Sequence, residues 1–234
     1  MRGLPLFFLI SITLAHEAGA QARSTDLTGL PVIEHPAALG ADSTLAVVLS
    51  GDGGWAAGDR AMAAELVRQG FGVVGLDVPS YLRSRKTPDV AGADLARLLR
   101  HYAVAWHVRR VLLVGYSHGA NILPFMASRL PADLRSRIDL IALLGLEPSA
   151  SFEFHLEDVV ADVVRGDAVP VLPELEKLAG MPILCVMGEG DRHSLCGALP
   201  PGLARVEVRP GGHRITGGEG KATADMVLAA RTRR

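Results

Sequence analysis

One serine stands in a pattern that suits nucleophilic chemistry. Residues 115–119 read Gly-Tyr-Ser-His-Gly and match G-x-S-x-G, with Ser117 at the centre. Alone the match is weak, because the chain contains 26 glycines. Its context strengthens it, since an apolar run precedes the motif and a helical pattern follows, as a nucleophile elbow requires. We predict that Ser117 is a nucleophile whose hydroxyl is exposed at a tight turn.

A serine hydroxyl becomes a good nucleophile only beside a base. His213 ends a Gly-Gly-His sequence directly after the last apolar run of the chain. Where a serine sits on such an elbow, the chain order is serine, acid and histidine. Histidines that precede Ser117 are thereby excluded, and His155 and His193 remain as competitors. We predict that His213 is the base.

The third member of such a triad is a carboxylate that orients the imidazole and stabilises its charged form. Residues 188–191 read Gly-Glu-Gly-Asp and follow an apolar run, so they offer two carboxylates at a strand end. Asp191 is the first choice and Glu189 the second. Glu147, which follows another apolar run, is a topological alternative.

An oxyanion that develops at the substrate carbonyl needs two N–H donors. One donor is expected from His118, the residue after the nucleophile, whose side chain should point away from the hydroxyl. The second is expected from the glycine-rich turn at residues 51–55, where Gly54 and Trp55 are the predicted donors.

The two cysteines, Cys185 and Cys196, lie eleven positions apart. In an oxidising compartment such a pair predicts a disulfide, and the alternative is two buried thiols. Asp191, His193 and Cys196 could together suggest a metal site, but their spacing matches no zinc pattern. We expect no metal and no cofactor.

Apolar runs rich in Val, Ile and Leu alternate with segments of helical period. The runs predict six strands, at residues 45–49, 72–76, 111–114, 138–144, 183–187 and 204–208. Runs without alternation are typical of strands that are buried on both faces of a parallel sheet. We therefore predict a compact α/β-hydrolase fold with a mostly parallel, doubly wound sheet. Residues 151–180 are too few for a large lid domain.

Helical periodicity marks apolar faces on two of the predicted helices. Ala61, Leu66 and Val67 form the first face. The second face has i, i+3, i+4 and i+7 spacing and comprises Leu95, Leu98, Leu99 and Tyr102.

The first residues have the pattern of a secretory signal. Arg2 precedes a short apolar run, and Ala-Gly-Ala at residues 18–20 fits a cleavage site. We predict a signal peptide at 1–20, a lead-in at 21–44 and an α/β-hydrolase domain at 45–234, with the mature protein in the periplasm. A formal net charge of -1 gives no sign of a nucleic-acid binder.

Several blocks of the sequence resemble a known family. The blocks are Ser-Gly-Asp-Gly-Gly-Trp at residues 50–55, Ser-Arg-Lys-Thr-Pro at 84–88, Leu-Val-Gly-Tyr-Ser at 113–117 and Phe-Glu-Phe-His at 152–155. Together they resemble the VirJ/AcvB bacterial virulence family, over residues 45–214. The resemblance implies a periplasmic α/β-hydrolase domain. AcvB-type proteins carry an additional N-terminal domain, whereas this sequence predicts a single domain.

The AcvB branch implies hydrolysis of the aminoacyl ester of lysyl-phosphatidylglycerol, and the VirJ branch implies a role alongside secretion of virulence factors. We assign Asp52, Arg85 and Lys86 to substrate binding, with Arg85 holding a phosphate group; the alternative for the two cations is solvated surface. The expected function is a serine esterase acting on an aminoacylated phospholipid. The alternatives are a carboxylesterase or thioesterase acting on small soluble esters, and a non-catalytic factor that assists secretion. Expected partners are the ester substrate and, transiently, a membrane surface or secretion machinery.

Overall fold

The strands of the protein form one main sheet and one short antiparallel pair. The computed structural model describes residues 26–37, 44–154, 168–213 and 220–232. Within them the strands are β1 (Val32–His35), β2 (Thr44–Leu49), β3 (Gly72–Leu76), β4 (Arg110–Tyr116), β5 (Ile138–Leu144), β6 (Ser149–Ala150), β7 (Val169–Pro170), β8 (Ile183–Gly188) and β9 (Arg205–Arg209). All six predicted strands are present, with ends within two residues of the prediction.

The main sheet has the order β1-β3-β2-β4-β5-β8-β9. Strand β1 pairs antiparallel with β3, and every other pair in the sheet is parallel. This confirms the mostly parallel sheet and shows that the lead-in contributes an edge strand. Because parallel strands end at the same edge, the turns that follow β2, β4, β5, β8 and β9 meet there.

Helices cover both faces of the sheet, which confirms the doubly wound arrangement. They are α1 (Ala57–Arg68), α2 (Val78–Tyr81), α3 (Pro88–Ala105), α4 (His118–Ser128), α5 (Ala132–Arg135), α6 (Leu172–Glu176) and α7 (Lys221–Thr232). Helices α3 and α4 pack on one face, and α1 and α7 pack on the other. Alternate residues of β2 serve the two cores: Leu45, Val47 and Leu49 face α3 and α4, whereas Ala46 and Val48 face α1 and α7.

The apolar face of α1 differs from the prediction. Ala61 is exposed and Val67 is half-buried, while Met62 and Ala63 join Leu66 in the core. Of the predicted face only Leu66 is therefore fully buried, because the alanines of this helix lie on both its buried and its exposed sides and give little periodic contrast. The face predicted for α3 is confirmed, since all four of its residues are buried: Leu95, Leu98, Leu99 and Tyr102.

Between β5 and β8 the described chain is short. Strand β6 pairs antiparallel with β7, and α6 packs against α4. No large lid domain rises from the described segments of this region. Across the described residues, no helix has the length and apolar character needed to cross a membrane. The predicted signal peptide at 1–20 lies outside the described residues.

Helix α4 approaches the end of β2 more closely than a side chain would allow. A Cβ atom on Gly119, the second residue of α4, would lie 2.5 Å from the carbonyl oxygen of Leu49 and 2.6 Å from that of Ser50. Gly58, the second residue of α1, is a matched counterpart, because a Cβ atom there would meet nothing within 4 Å.

We predict opposite effects of alanine at these two helix positions. Gly119→Ala forces α4 away from the backbone of β2 and should lower the free energy of unfolding by roughly 1–3 kcal/mol. Gly58→Ala reduces the freedom of the unfolded chain without a clash and should raise it by up to about 1 kcal/mol. Urea unfolding of both variants measures the two changes, and a neutral Gly119→Ala would contradict the close approach.

Candidate active site

Ser117 occupies the sharp turn between β4 and α4. Its backbone has φ +50° and ψ -120°, a conformation that non-glycine residues adopt rarely. The Ser117 N–H donates to the carbonyl of Leu144 at 2.8 Å, which holds the turn against β5. A Cβ atom on Gly115 would lie 2.6 Å from the carbonyl oxygen of Gly119, so the turn closes only because both flanking residues are glycines. Such strain is typical of functional sites.

His213 lies beside the Ser117 hydroxyl. Its Nε2 is 2.9 Å from Ser117 Oγ, within hydrogen-bond distance. The imidazole packs over Gly145, where a Cβ atom would lie 3.2 Å from His213 Cε1. Gly145 has φ +67°, so the turn after β5 both requires a glycine and leaves room for the ring. The structure therefore brings together the predicted nucleophile and the predicted base.

Asp191 lies on the opposite side of the imidazole. Its Oδ2 is 3.4 Å from His213 Nδ1, a contact of ion-pair length that is longer than an ordinary hydrogen bond. That oxygen is buried and has no hydrogen-bond partner among the described residues. The burial of this oxygen is stronger evidence than the length of the contact, because the imidazole N–H is the group placed to donate to it. Catalytic hydrogen bonds of this kind often shorten only when substrate binds. Asp191 can thus orient His213.

The loops that carry the acid and the base are bonded to each other. The N–H of Gly190 donates to the carbonyl of Gly211 at 2.8 Å. A Cβ atom on Gly188 would collide with the carbonyl oxygen of Gly212, so the loop after β9 crosses directly over the end of β8. This crossing brings Asp191 and His213 close together, and their order along the chain is the one that the sequence predicts.

The two alternative acids lie elsewhere. Glu189 is exposed, and its N–H continues the pairing with β9 through the carbonyl of Arg209. Glu147 accepts a hydrogen bond of 2.7 Å from the side chain of Asn121, and its N–H donates to the same side chain. The geometry therefore favours Asp191 over both.

The competing histidines are not placed for the role of base. His193 is exposed, and its backbone N–H donates to Asp191 Oδ1 at 3.3 Å. His155 lies outside the described residues.

The turn after β2 corrects the predicted oxyanion donors. The N–H of Gly54 donates to the carbonyl of Gly51 at 3.0 Å, and the N–H of Trp55 donates to Asp77 Oδ2 at 2.7 Å. Neither donor is available to a substrate, so the assignment of Gly54 and Trp55 was wrong. The N–H groups of Gly51, Asp52 and Gly53 have no partner among the described residues.

Asp77, the carboxylate that takes the Trp55 N–H, went unnoticed in the sequence. It follows β3 and caps α2 by accepting the N–H of Ser80 at 3.0 Å. Burial opposes its charged form, but the hydrogen bonds from Ser80 and Trp55 outweigh burial and lower the pKa of Asp77. An aspartate directly after a strand and three residues before a serine could have signalled such a cap.

The same turn approaches Ser117 closely. A Cβ atom on Gly51 would lie 3.2 Å from the Cβ of Ser117. The N–H of His118, at the start of α4, has no partner among the described residues. A carbonyl oxygen of a substrate held at Ser117 would therefore lie between the start of α4 and this turn.

The side chain of His118 points away from the Ser117 hydroxyl, as predicted, and makes contacts that the sequence did not indicate. Its Nδ1 is 2.7 Å from Asp52 Oδ1, and its Nε2 is 2.8 Å from the carbonyl oxygen of Ser151. Oδ1 of Asp52 is thus engaged by His118, while the Asp52 side chain is 30% exposed, and its assignment to substrate binding stays a prediction.

The two predicted cations behave differently. The ammonium group of Lys86 lies 5.1 Å from the centroid of the Tyr81 ring, and the Lys86 N–H donates to the carbonyl of Phe152 at 2.8 Å. Arg85 is exposed. Phe152 follows Ser151, whose carbonyl oxygen contacts His118. The hydrogen bond from Lys86 to Phe152 therefore places the loop of Arg85 on the same edge of the sheet as Ser117.

Cys185 and Cys196 form a disulfide with a Cα–Cα distance of 5.6 Å. The bridge joins β8 to the chain beyond Asp191, and the N–H of Leu195 donates to the carbonyl of Leu146 at 2.8 Å. The bridge takes the sulfur of Cys196 out of any metal site. The loop that carries Asp191 is therefore fixed at both ends.

We predict that the disulfide supports both stability and the position of Asp191. Replacing both cysteines with alanine frees a loop whose ends are 11 residues apart and should lower the free energy of unfolding by about 2–3 kcal/mol. Turnover should fall as well, because Asp191 then orients His213 less well. Melting temperature and ester turnover, each with and without reductant, measure the two effects.

The double variant is its own control, since reductant should affect the wild type and leave the variant unchanged. Two free thiols in oxidised wild-type protein, counted under denaturing conditions, would contradict the bridge.

Solved structures share this fold at low sequence identity. MenH from S. aureus is 14% identical with a TM-score of 0.62, covering 85% of this chain and 97% of that one. Proline iminopeptidase from Mycobacterium smegmatis is 16% identical with a TM-score of 0.56, covering 86% and 94%. Naproxen esterase from Bacillus subtilis is 16% identical with a TM-score of 0.53, covering 85% and 86%. At such identities the likeness shows the fold alone, which is that of the α/β hydrolases.

Comparison of the sequence itself is more specific. No curated protein sequence matches the chain. The profile of one family, described as bacterial virulence protein (VirJ), matches residues 43–234. The match covers the whole sheet from β2 onward and includes Ser117, Asp191 and His213. The chain therefore belongs to the VirJ family of bacterial virulence proteins.

Proposed function

We propose that the protein is a periplasmic serine esterase that works through an acyl-enzyme. The observation that carries the proposal is the 2.9 Å contact between Ser117 Oγ and His213 Nε2 at a strained elbow. Asp191 supports it from the far side of the imidazole. A buried carboxylate, an imidazole and a hydroxyl in this order are the groups that acyl transfer requires.

In the first half of the reaction, Ser117 Oγ attacks the ester carbonyl carbon while His213 Nε2 takes the hydroxyl proton. The negative charge that develops on the carbonyl oxygen is stabilised by the N–H of His118 and by an N–H of the turn at 51–53. The carbon–oxygen bond to the leaving group then breaks, and His213 returns its proton to the departing alkoxide. Ser117 keeps the acyl group as an ester.

In the second half, a water molecule takes the place of the alcohol. His213 removes a proton from the water, whose oxygen attacks the acyl carbon and forms a second oxyanion at the same donors. Collapse of that intermediate releases the carboxylic acid and returns the proton to Ser117 Oγ. Asp191 stabilises the imidazolium in both halves without itself becoming protonated.

The substrate we propose is an aminoacyl ester of a phospholipid, such as lysyl-phosphatidylglycerol. Support comes from the resemblance to the AcvB branch and from the loop of Arg85, which lies on the same edge of the sheet as Ser117. Hydrolysis would release the amino acid and the unmodified lipid. A small soluble ester or a non-catalytic role in secretion are the alternatives that the experiments below distinguish.

Export fits the chemistry of the cysteines. Disulfides persist in oxidising compartments such as the bacterial periplasm and are rare in the cytosol. The Cys185–Cys196 bridge supports the proposed location, together with the signal pattern at residues 1–20.

We predict that Ser117→Ala and His213→Ala each lower kcat by several orders of magnitude with little change in melting temperature. The double variant should be no worse than either single variant, because the two residues act as a unit. Asp191→Asn should also cost much of the activity. Turnover of a model ester, together with labelling by a fluorophosphonate, measures these losses.

Glu189→Gln is the matched control, because it removes the neighbouring exposed carboxylate and should leave kcat unchanged. More than about a tenth of wild-type turnover in Ser117→Ala would reject the mechanism. Absence of labelling in the folded wild type would favour the non-catalytic alternative.

We predict that Arg85 recognises the phosphate of the substrate. Arg85→Ala should impair turnover of lysyl-phosphatidylglycerol in lipid extract far more than turnover of a neutral model ester, because a guanidinium binds phosphate through two hydrogen bonds. Arg85→Lys should restore only part of the difference, since an ammonium acts as a point charge. Equal losses on both esters would rule out a phosphate-specific role.

We predict that export removes residues 1–20. Protein recovered from the periplasm should begin at Gln21, and its intact mass measures this directly. Retention of Met1 in the mature protein would contradict cleavage.

A further inference from the structure

His118 is a buried histidine that follows the proposed nucleophile. The proposed reaction uses only the backbone N–H of His118. The side chain is 9% exposed, and both of its nitrogens face acceptors. The carbonyl oxygen of Ser151 can only accept, so Nε2 must carry a proton. Nδ1 faces a carboxylate oxygen of Asp52, which accepts a hydrogen bond from a second ring N–H when His118 is an imidazolium. The partners thus call for a charged ring paired with a carboxylate.

The charged groups around the ring agree with this protonation state. Burial works against an imidazolium, but the hydrogen bond and charge of Asp52, the carbonyl of Ser151 and the charge of Glu147 outweigh burial and raise the pKa of His118. Asp52 lies on the turn after β2, whereas Glu147 and Ser151 lie on the chain after β5. The charged and accepting groups on both of these segments therefore favour its charged form.

The contact joins the two sides of the proposed oxyanion site. His118 begins α4 and supplies one N–H, and Asp52 lies on the turn that supplies the other. No ladder hydrogen bond links these two backbones, because the turn lies beyond the last β2–β4 pair, Leu49 with Gly115. The side-chain contact between Asp52 and His118 therefore adds a second constraint on their separation, beside the close approach of Gly119 to the end of β2.

We propose that the Asp52–His118 ion pair is a positioning device that fixes the distance between the two N–H donors of the oxyanion site. The inference rests on the proposed serine esterase. The ring, held at its far side by Ser151, acts as a strut between α4 and the turn. Neither side chain touches the reacting atoms, so both are positioning residues.

The protonation state gives this device a pH dependence of its own. Below the raised pKa, both ring nitrogens donate and the strut is intact. Above it, Nε2 keeps its proton for Ser151, and the lone pair of Nδ1 then faces the carboxylate of Asp52, which repels it. Activity should therefore fall at alkaline pH through His118.

Two substitutions of Asp52 separate geometry from charge. Asp52→Ala removes the strut and should lower kcat by about 10- to 100-fold with little change in KM, less than full loss of an oxyanion donor. Asp52→Asn should keep most of kcat, because its amide can donate to Nδ1 of a neutral His118, and it should lose the alkaline limb. Asp133→Asn, which alters an exposed carboxylate on α5, is the control and should match the wild type.

The decisive measurements are kcat, KM and pH profiles of an ester substrate, with nitrogen-15 NMR of the imidazole of His118. The wild type should keep two protonated ring nitrogens up to a higher pH than Asp52→Asn does. A wild-type His118 that is neutral overturns the proposal, as does a folded Asp52→Ala with unchanged kcat, or a loss confined to KM. Equal losses in Asp52→Ala and Asp52→Asn also overturn it.

These outcomes are distinct from failure of the proposed function. A folded wild type that hydrolyses no ester and binds no fluorophosphonate rejects the esterase itself. An active wild type with an indifferent Asp52→Ala rejects only the positioning role.

Discussion

The close approach of α4 to the carboxyl end of β2 is the contact on which the candidate site depends. Gly119 lies so near the carbonyl oxygens of Leu49 and Ser50 that any side chain would collide with backbone. A helix that begins this close to the sheet leaves only a sharp turn for the residue before it, and Ser117 takes a left-handed backbone conformation as a result. The strain is offset by packing around the turn, and the hydroxyl is presented at the sheet edge.

The other half of the site follows from where parallel strands end. The loops after β8 and β9 cross at Gly188 and share a hydrogen bond between Gly190 and Gly211. Asp191 and His213 are thereby brought together although 22 residues separate them. The disulfide closes the loop of Asp191 from one side, so a carboxylate with few contacts of its own is held by its neighbours.

The ion pair beside the nucleophile joins a buried histidine to a partly exposed aspartate and has consequences for the rest of the edge. Removing Asp52 leaves the charge of the buried His118 ring uncompensated, which is costly. His118 and Asp52 therefore constrain each other, and the carbonyl of Ser151 adds the chain after β5 to the same cluster. Three turns that are distant in sequence thus meet at the imidazole of His118. The shape of the site is therefore coupled to the protonation state of that ring.

The strands, the elbow at Ser117, the chain order that leads to His213 and the cysteine pair could be predicted from the sequence, because each depends on local pattern or on chain order. The contacts across the edge could not. The predicted donors Gly54 and Trp55 were wrong because a carboxylate after the next strand, Asp77, takes one N–H and the turn itself takes the other. Hydrogen bonds between loops depend on which strands are neighbours and on the register in which they pair. Local sequence patterns predict neither. Those contacts therefore follow from the packing of the folded chain.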